Sequence, residues 1–301
     1  MGGESTVRSK PLLLLTDPAH FEVTYTINPW MEPYAWAENP VGHRTAARRS
    51  FESFAATLVA AGARLEIMPA VVGLPDMVFP ANAAIVLDRL ALLARFRHPE
   101  RRGEEKHFQE HFRILMERGF VLDEVAQIPS NCFQEGAGDC IWDLARGRFW
   151  AGYGQRSTRQ AAAEISAFFG RQTTTLELVS PRFYHLDVCF CALGGGEIFY
   201  YPPAFSAASL ATIRNVVAPE DLIEATDEDA ARFNINAVNI DDRLVMASAS
   251  PNLVARLAER GYRVSEVDLQ PFIMAGGGAY CMTLRLDNCS ATASALRRAA
   301  E

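Results

Sequence analysis

The stretch Leu58-Val59-Ala60-Ala61-Gly62-Ala63-Arg64-Leu65-Glu66-Ile67-Met68 reads as the end of a helix, a glycine and a short strand. A glycine just past the last helical turn takes up left-handed backbone without a Cβ penalty, so the chain can reverse into an extended run. The same order returns at Leu115-Met116-Glu117-Arg118-Gly119, followed by Phe120-Val121-Leu122-Asp123-Glu124-Val125. It returns again at Leu257-Ala258-Glu259-Arg260-Gly261, followed by Tyr262-Arg263-Val264-Ser265-Glu266-Val267. Weaker relatives lie at 157–178 and 206–217. The helices ahead of the glycines are amphipathic over 45–61 and 107–118. The last is announced by Ser250-Pro251, an N-cap followed by proline at the first helical position. These copies predict an α/β fold of repeated modules, and their uneven spacing argues against a strict solenoid. Pro11-Leu12-Leu13-Leu14-Leu15 reads as a buried first strand. No Pro/Ser/Gly-rich linker divides the chain, so residues 1–301 are read as a single domain.

The 29 basic residues are outnumbered by 36 acidic ones, giving a net charge of −7. Nucleic-acid and membrane-surface partners need a basic footprint, so neither is expected. No apolar run reaches the ~20 residues of a membrane span. Met1-Gly2 with Ser5-Thr6 loosely fits a myristoylation pattern, which short Gly/Ser leaders match by chance. Cys132, Cys140, Cys189, Cys191, Cys281 and Cys289 show no metal-ligand spacing. No metal and no cofactor are therefore expected, and without a signal peptide a reduced cytoplasmic compartment is the default.

Cys281 follows Gly276-Gly277-Gly278-Ala279-Tyr280 and opens the strand-like run 282–286. Such a loop gives a nucleophile close access to a ligand, although most cytosolic cysteines are inert core residues. Phe183-Tyr184-His185-Leu186-Asp187-Val188-Cys189-Phe190-Cys191 reads as a strand that puts His185 and Asp187 on one face. That pair suits a general acid/base beside a carboxylate, and equally a half-buried strand with a hydrogen-bonded histidine. Gln134-Glu135-Gly136-Ala137-Gly138-Asp139 sets two carboxylates on flexible backbone, as a cation site or as a plain turn. The strand-like runs 22–27 and 77–81 lead to Asn28 and Asn82. His107 and His111 lie four apart on a helix, but no zinc-protease glutamate accompanies them, so they are read as a solvated face. Gly194-Gly195-Gly196 is read as a turn between strands.

In order, Asn28-Pro29-Trp30-Met31, Asn82, Glu135-Gly-Ala-Gly-Asp139, His185-Leu186-Asp187 and Gly-Gly-Gly-x-x-Cys281 resemble the guanidine-modifying superfamily. That group includes arginine deiminases, dimethylarginine dimethylaminohydrolases, amidinotransferases and arginine dihydrolases. The resemblance covers essentially the whole chain and implies the pentein fold, a five-bladed α/β propeller of ββαβ-type modules. It further implies a small guanidino substrate, arginine or a derivative, with Cys281 as nucleophile. His185 would be the acid and then the base, and Glu135 and Asp187 would be hydrogen-bonding partners of the guanidinium. Arg101 and Arg156 match weaker family positions and would grip a substrate carboxylate; for Arg101 a surface arginine is an equal reading. Oligomeric state is open, and a homo-oligomer is compatible with the sequence.

Within the superfamily, asparagine at the position of Asn82 and an Ile-Asn-Pro-Trp-Met segment resemble arginine dihydrolases. An amide can donate to a neutral ureido oxygen, which a carboxylate would repel. The first expectation is thus a dihydrolase-like hydrolase releasing ornithine, ammonia and carbon dioxide. The second is single-step hydrolysis of arginine or a methylated arginine to citrulline, and the third is amidine transfer to an acceptor amine. A catalytically dead binding protein is disfavoured by the complete set of four reactive residues. Pro80, Tyr280 and the lack of a long C-terminal extension depart from the family, which bears on substrate more than on mechanism.

Overall fold

A computed structural model describes residues 10–119 and 121–290. Among these, fifteen short strands make five three-stranded sheets. β1 (Leu12–Thr16) runs parallel to β2 (Arg64–Met68), with the helices Pro33–Glu38 and Pro40–Ala61 between them. β3 (Ala84–Leu87) and β4 (Leu90–Leu93) form an antiparallel hairpin, and the helix Glu105–Glu117 carries the chain to β5 (Glu124–Gln127), parallel to β4. β6 (Cys140–Asp143), β7 (Arg148–Tyr153) and β8 (Thr173–Glu177) repeat this around the helix Ala161–Phe169. So do β9 (Phe190–Ala192), β10 (Ile198–Tyr200) and β11 (Leu222–Glu224) around Ala207–Val216. β12 (Val238–Ile240), β13 (Arg243–Met246) and β14 (Arg263–Glu266) do so around Pro251–Ala258. Finally β15 (Leu284–Arg285) returns to pair antiparallel with β1, which completes the first sheet as a fifth ββαβ unit.

The sequence pattern explains which strands lie where. The middle strand of each unit is covered on both sides, so β1 reads as a continuous leucine run and is buried throughout. The outer strands β2, β5 and β14 carry charged residues and are partly or fully exposed, apart from buried Met68 at the end of β2. Gly62, Gly119, Gly170 and Gly261 all have positive φ, as helix-ending residues ahead of a strand require. Ser250 caps its helix by accepting from Leu253 N, with Pro251 next in line. The repeated helix–glycine–strand order is therefore the outer half of four blades, the weaker 157–178 copy included. In the fourth blade the helix Ala207–Val216 ends at Val217 and reaches its strand without a glycine. The Gly194–Gly196 turn joins β9 to β10.

The blades are joined near the centre by one set of hydrogen bonds. In each unit a short turn precedes the first strand, and each turn touches the next. Ala81 N donates to Cys281 O, and the Asn82 side chain donates to Glu135 O. Leu186 N donates to an Asp139 carboxylate oxygen, Asn236 Nδ2 to Asp187 O, and Cys281 N to Asn236 Oδ1. These five contacts close a ring through all five blades.

The inner half of the blades departs from the sequence expectations. Residues 183–191 do not form one strand: Leu186–Val188 is a 3-10 turn, and only Phe190–Ala192 is extended. Leu186 and Val188 are buried, as are His185 and Asp187, so no alternation exists, and the backbone is satisfied by Asp139 in place of a neighbouring strand. The 77–81 run is a pair of 3-10 turns, Pro75–Val78 and Pro80–Asn82, each opened by a proline that has no N–H for a ladder. Residues 22–27 form no strand either. Behind Cys281 only Leu284–Arg285 is extended, and the third strand of the second blade starts at Glu124; Phe120 and residues 1–9, including the myristoylation-like pattern, lie outside the described residues. His111 is not solvated: it is buried on the inner side of its helix, with Nε2 3.9 Å from Glu66 on β2. No helix among the described residues is long and apolar enough to cross a membrane.

Leu14 is fully buried in β1 opposite Leu284, whereas Ile67 on the outer strand is half exposed. Leu14→Ala is expected to cost about 2–5 kcal/mol and Ile67→Ala less than about 1 kcal/mol, measured by urea unfolding.

Candidate active site

The turns that close the ring also carry the candidate reactive side chains. Cys281 is buried, and its Sγ donates to Asp187 Oδ2 at 3.1 Å and accepts from Asn236 Nδ2 at 3.1 Å. The second Asp187 oxygen, Oδ1, is buried with no partner. His185, two residues before Asp187, places Nε2 2.7 Å from Glu135 Oε2 and turns Nδ1 toward Asn82 Nδ2 at 3.5 Å. An Nδ1 that accepts from the amide leaves the ring proton on Nε2, aimed at Glu135.

Glu135 is the most heavily used carboxylate. Oε1 accepts from Arg97 N at 3.0 Å, and Oε2 accepts from Arg156 Nη1 at 3.0 Å as well as facing His185. Its turn is held by Ser157, whose Oγ donates to Asp139 at 2.6 Å and lies 3.1 Å from Glu135 N. The glycines of this turn have a steric role. A Cβ on Gly136, which has φ +63°, would strike Ala81 O, and one on Gly138 would strike the Asn82 amide. Only bare backbone lets the second blade's asparagine lie against the third blade's carboxylate turn.

The arginines are engaged within the protein. Arg101 donates to both Glu104 oxygens, to Asn82 Oδ1 at 2.7 Å and to Asp76 O, and its guanidinium lies over the Phe96 ring. Arg156 pairs with Glu135, donates to Ile27 O and sits 4.7 Å above the Tyr184 ring. Asn28 spends its amide on backbone: Nδ2 donates to Ala275 O and Oδ1 accepts from Trp30 N, which ties the 28–31 turn to the glycine loop before Cys281.

The electrostatics of this centre are dominated by burial. Burial pushes the Asp187 carboxyl up to about 7, against the hydrogen bonds from Cys281 and Asn236. It pushes Glu104 up to about 7 and Asp139 up to about 6, and it raises Asp76, whose Oδ1 is also unpartnered. For Glu135 burial acts upward too, but Arg156 and His185 outweigh it and hold the carboxyl well below its usual range. The Cys281 thiol is driven well up, first by burial and then by the Asp187 charge. Asp76, Glu104, Glu135, Asp139 and Asp187 are thus buried in one centre with two guanidinium groups, Arg101 and Arg156. That surplus of acceptors is suited to a buried cation.

Seven of the eight residues singled out in the sequence lie in two connected groups, Cys281 with Asp187 and His185 with Glu135, Asn82, Arg101 and Arg156. His185 and Asp187 are two residues apart on one turn. Asn28 lies behind the glycine loop. Sequence reasoning missed Asn236, Asp76, Glu104 and the Ser157–Asp139 pair. Asn236 stands two residues before β12 just as Asn82 stands two before β3, so aligning the modules on their first strands would have found it. Among the described residues no group of three or more His, Cys, Asp or Glu could hold a metal.

Residues 17–287 match the family model described as N,N dimethylarginine dimethylhydrolase, eukaryotic. The chain is 40% identical over 276 residues to the bifunctional arginine dihydrolase/ornithine cyclodeaminase ArgZ of Synechocystis sp., a match that covers 91% of this chain and 37% of that protein. It is 35% identical over 272 residues to the N(G),N(G)-dimethylarginine dimethylaminohydrolase of Mycobacterium tuberculosis, covering 90% of this chain and 84% of that one. The chain therefore spans little more than a third of the bifunctional relative. The N-terminal domain of ArgZ, described as an arginine dihydrolase and solved as a cysteine-to-serine mutant bound to substrate, superposes with TM-score 0.85 at 37% identity, covering 93% of this chain and all of that domain. An asparagine-to-serine variant of that domain, covalently bound to a reaction intermediate, has TM-score 0.85 and 37% identity over 94% of this chain.

A carboxyl whose folded pKa is raised stabilises the protein fully below its unfolded value and loses that contribution as pH rises through the folded one. For Asp187, Glu104 and Asp139 the loss falls between the ordinary carboxylate range and about 7. Glu135 has the opposite sign, and its contribution is lost only in stronger acid. The ligand-free protein is expected to melt higher at about pH 5 than at about pH 8 in a thermal scan. Asp187→Asn should narrow the difference.

Proposed function

The chain belongs to the dimethylarginine dimethylaminohydrolase family, and from that premise we propose that it hydrolyses the guanidino C–N bonds of arginine through a covalent adduct on Cys281. The observation that carries the reading is Asp187: one oxygen rests on the Cys281 sulfur and the other is a buried acceptor with no donor. A guanidinium N–H delivered to Oδ1 brings its carbon to the sulfur and supplies the cation that the surplus of carboxylates lacks. The same cation offsets the Asp187 charge that holds the thiol up, so substrate assists in forming its own thiolate.

The steps then balance as follows. With substrate bound, the Cys281 thiol gives its proton to His185, leaving a thiolate beside an imidazolium. The thiolate attacks the guanidinium carbon, and the His185 imidazolium passes its proton to the departing nitrogen, which leaves as ammonia. Water, deprotonated by the now neutral His185, attacks the resulting thiouronium carbon, and the C–S bond breaks to give citrulline. Glu135 orients the imidazole through Nε2 and accepts from a guanidinium N–H. An incoming guanidinium competes with Arg156 for Glu135, which frees the Arg156 fork for the substrate carboxylate. Arg101 keeps Asn82 in place by donating to its Oδ1, and Asn28 holds the loop that carries Cys281.

In the dihydrolase reading the thiolate attacks a second time, at the ureido carbon. A second ammonia leaves, and hydrolysis of the thiocarbamate gives a carbamate that releases carbon dioxide and ornithine. Asn82 supports this second round: Nδ2 lies beside His185 and Glu135 as a neutral donor, where an aspartate would present charge to the ureido oxygen. The match to the ArgZ domain favours it further. Single-step hydrolysis to citrulline, with arginine or a methylated arginine as substrate, is favoured by the mycobacterial relative.

Mass analysis after incubation with arginine and, separately, citrulline tests the choice. The dihydrolase reading expects ornithine and ammonia from both, and citrulline left unconsumed contradicts it. Asn82→Asp is expected to slow the citrulline step by more than about tenfold relative to the arginine step, so that citrulline accumulates.

A further inference from the structure

Asn236 has no place in the chemistry above, yet its whole side chain is committed to the Cys281 turn. Nδ2 donates to Cys281 Sγ at 3.1 Å and to Asp187 O at 3.1 Å, and Oδ1 accepts from Cys281 N at 3.2 Å. Its backbone carbonyl accepts from Tyr280 N at 3.3 Å. The residue is 1% exposed and is fixed from behind, since its own N–H donates to Phe233 O. A Cβ on Gly278 would come within 2.8 Å of Asn236 Oδ1, so the last glycine before the cysteine is what lets the amide reach in. Around the sulfur the bonds run one way: the amide N–H points at sulfur, and the sulfur proton points at Asp187 Oδ2.

We propose that Asn236 is a positioning residue for Cys281, aiming the sulfur and favouring its thiolate by a donated N–H opposite the Asp187 carboxylate. The proposal rests on Cys281 being the nucleophile. Its physical content is that a neutral donor is required at this point. A carboxylate would add a second negative charge to a buried sulfur, and an apolar side chain would leave Asp187 as the dominant neighbour. The Asn236 hydrogen bond and the Gly278 backbone both act to lower the thiol pKa, against burial and Asp187. The other titratable groups that face the sulfur are Tyr184 and Tyr280, whose phenols burial pushes up and keeps neutral.

The test is the pH dependence of iodoacetamide alkylation at Cys281, read by peptide mapping with Cys281→Ser as the blank, together with arginine kinetics. Asn236→Ala is expected to raise the alkylation midpoint by ~1–2 pH units, and Asn236→Asp by more. In both, kcat should fall by about 10–100-fold while KM moves less than about threefold. Asn236→Ser retains a donor hydroxyl and should recover part of both; it carries the same readout if the other two variants fail to fold. An unchanged midpoint in folded variants, or a loss confined to KM or to melting temperature, overturns the proposal. If Cys281→Ser itself retains turnover, the nucleophile reading fails first and this proposal falls with it. An inactive Cys281→Ser alongside unchanged Asn236 midpoints defeats the Asn236 proposal alone.

Discussion

The structure depends on the ring of five hydrogen bonds that joins the turns at the head of each blade. Ala81 to Cys281, Asn82 to Glu135, Leu186 to Asp139, Asn236 to Asp187 and Cys281 to Asn236 make one closed circuit. The outer strands could slide or fray without altering the chemistry, but no blade can move inward or outward without breaking a buried polar contact. Such contacts are modest when made and costly when left unmade. The residues of the ring are those proposed to react or their immediate neighbours. Fold closure and site geometry are one constraint here, and the pairing of β15 with β1 completes it.

The same ring explains why the centre is short of positive charge. Each blade contributes a short polar side chain, and those from the second, third and fourth blades bring carboxylates. Arg101 and Arg156 neutralise part of this, Arg101 by locking Glu104 and Asn82 and Arg156 by covering Glu135. Burial pushes the Asp187 carboxyl up to about 7, against the cysteine, the Asn236 amide and a weaker pull from Arg101. On the proposed reading, a cation arriving at Oδ1 would offset the Asp187 charge beside the sulfur and so couple recognition to the activation of Cys281.

The parts of the fold that were legible in the sequence are those set by local physics. Glycine caps, the Ser250-Pro251 helix start and the leucine run of β1 follow from the needs of adjacent residues. Three clear and two weaker copies of a module are visible in them, whereas the five-bladed arrangement comes from the family resemblance. The inner turns were misread because their residues are apolar for a different reason. Residues 77–81 and 183–191 look like strands by composition, but they are buried from all sides by other blades and wound into 3-10 turns around Pro80 and Asp139. The set Cys281, His185, Glu135 and Asp187 comes from the order of motifs that resembles the guanidine-modifying superfamily, since each motif alone reads equally as a turn or a core residue. Asn236 was missed because its signal is relational: it stands two residues before its strand as Asn82 does, and only that alignment of modules marks the asparagine that the fold sets against a sulfur 45 residues away in the chain. Asn28 shows the converse, an amide suited to a ligand whose hydrogen bonds are all spent on backbone.

The central claim is that Cys281 bonds covalently to the guanidinium carbon of arginine. Acid quenching during turnover of arginine labelled at that carbon, followed by peptide mapping, tests it most directly. The account predicts label on the Cys281 peptide alone, at the mass of arginine less ammonia, and none in Cys281→Ser. Label on any other residue, or sustained turnover with serine in place of Cys281, would contradict it.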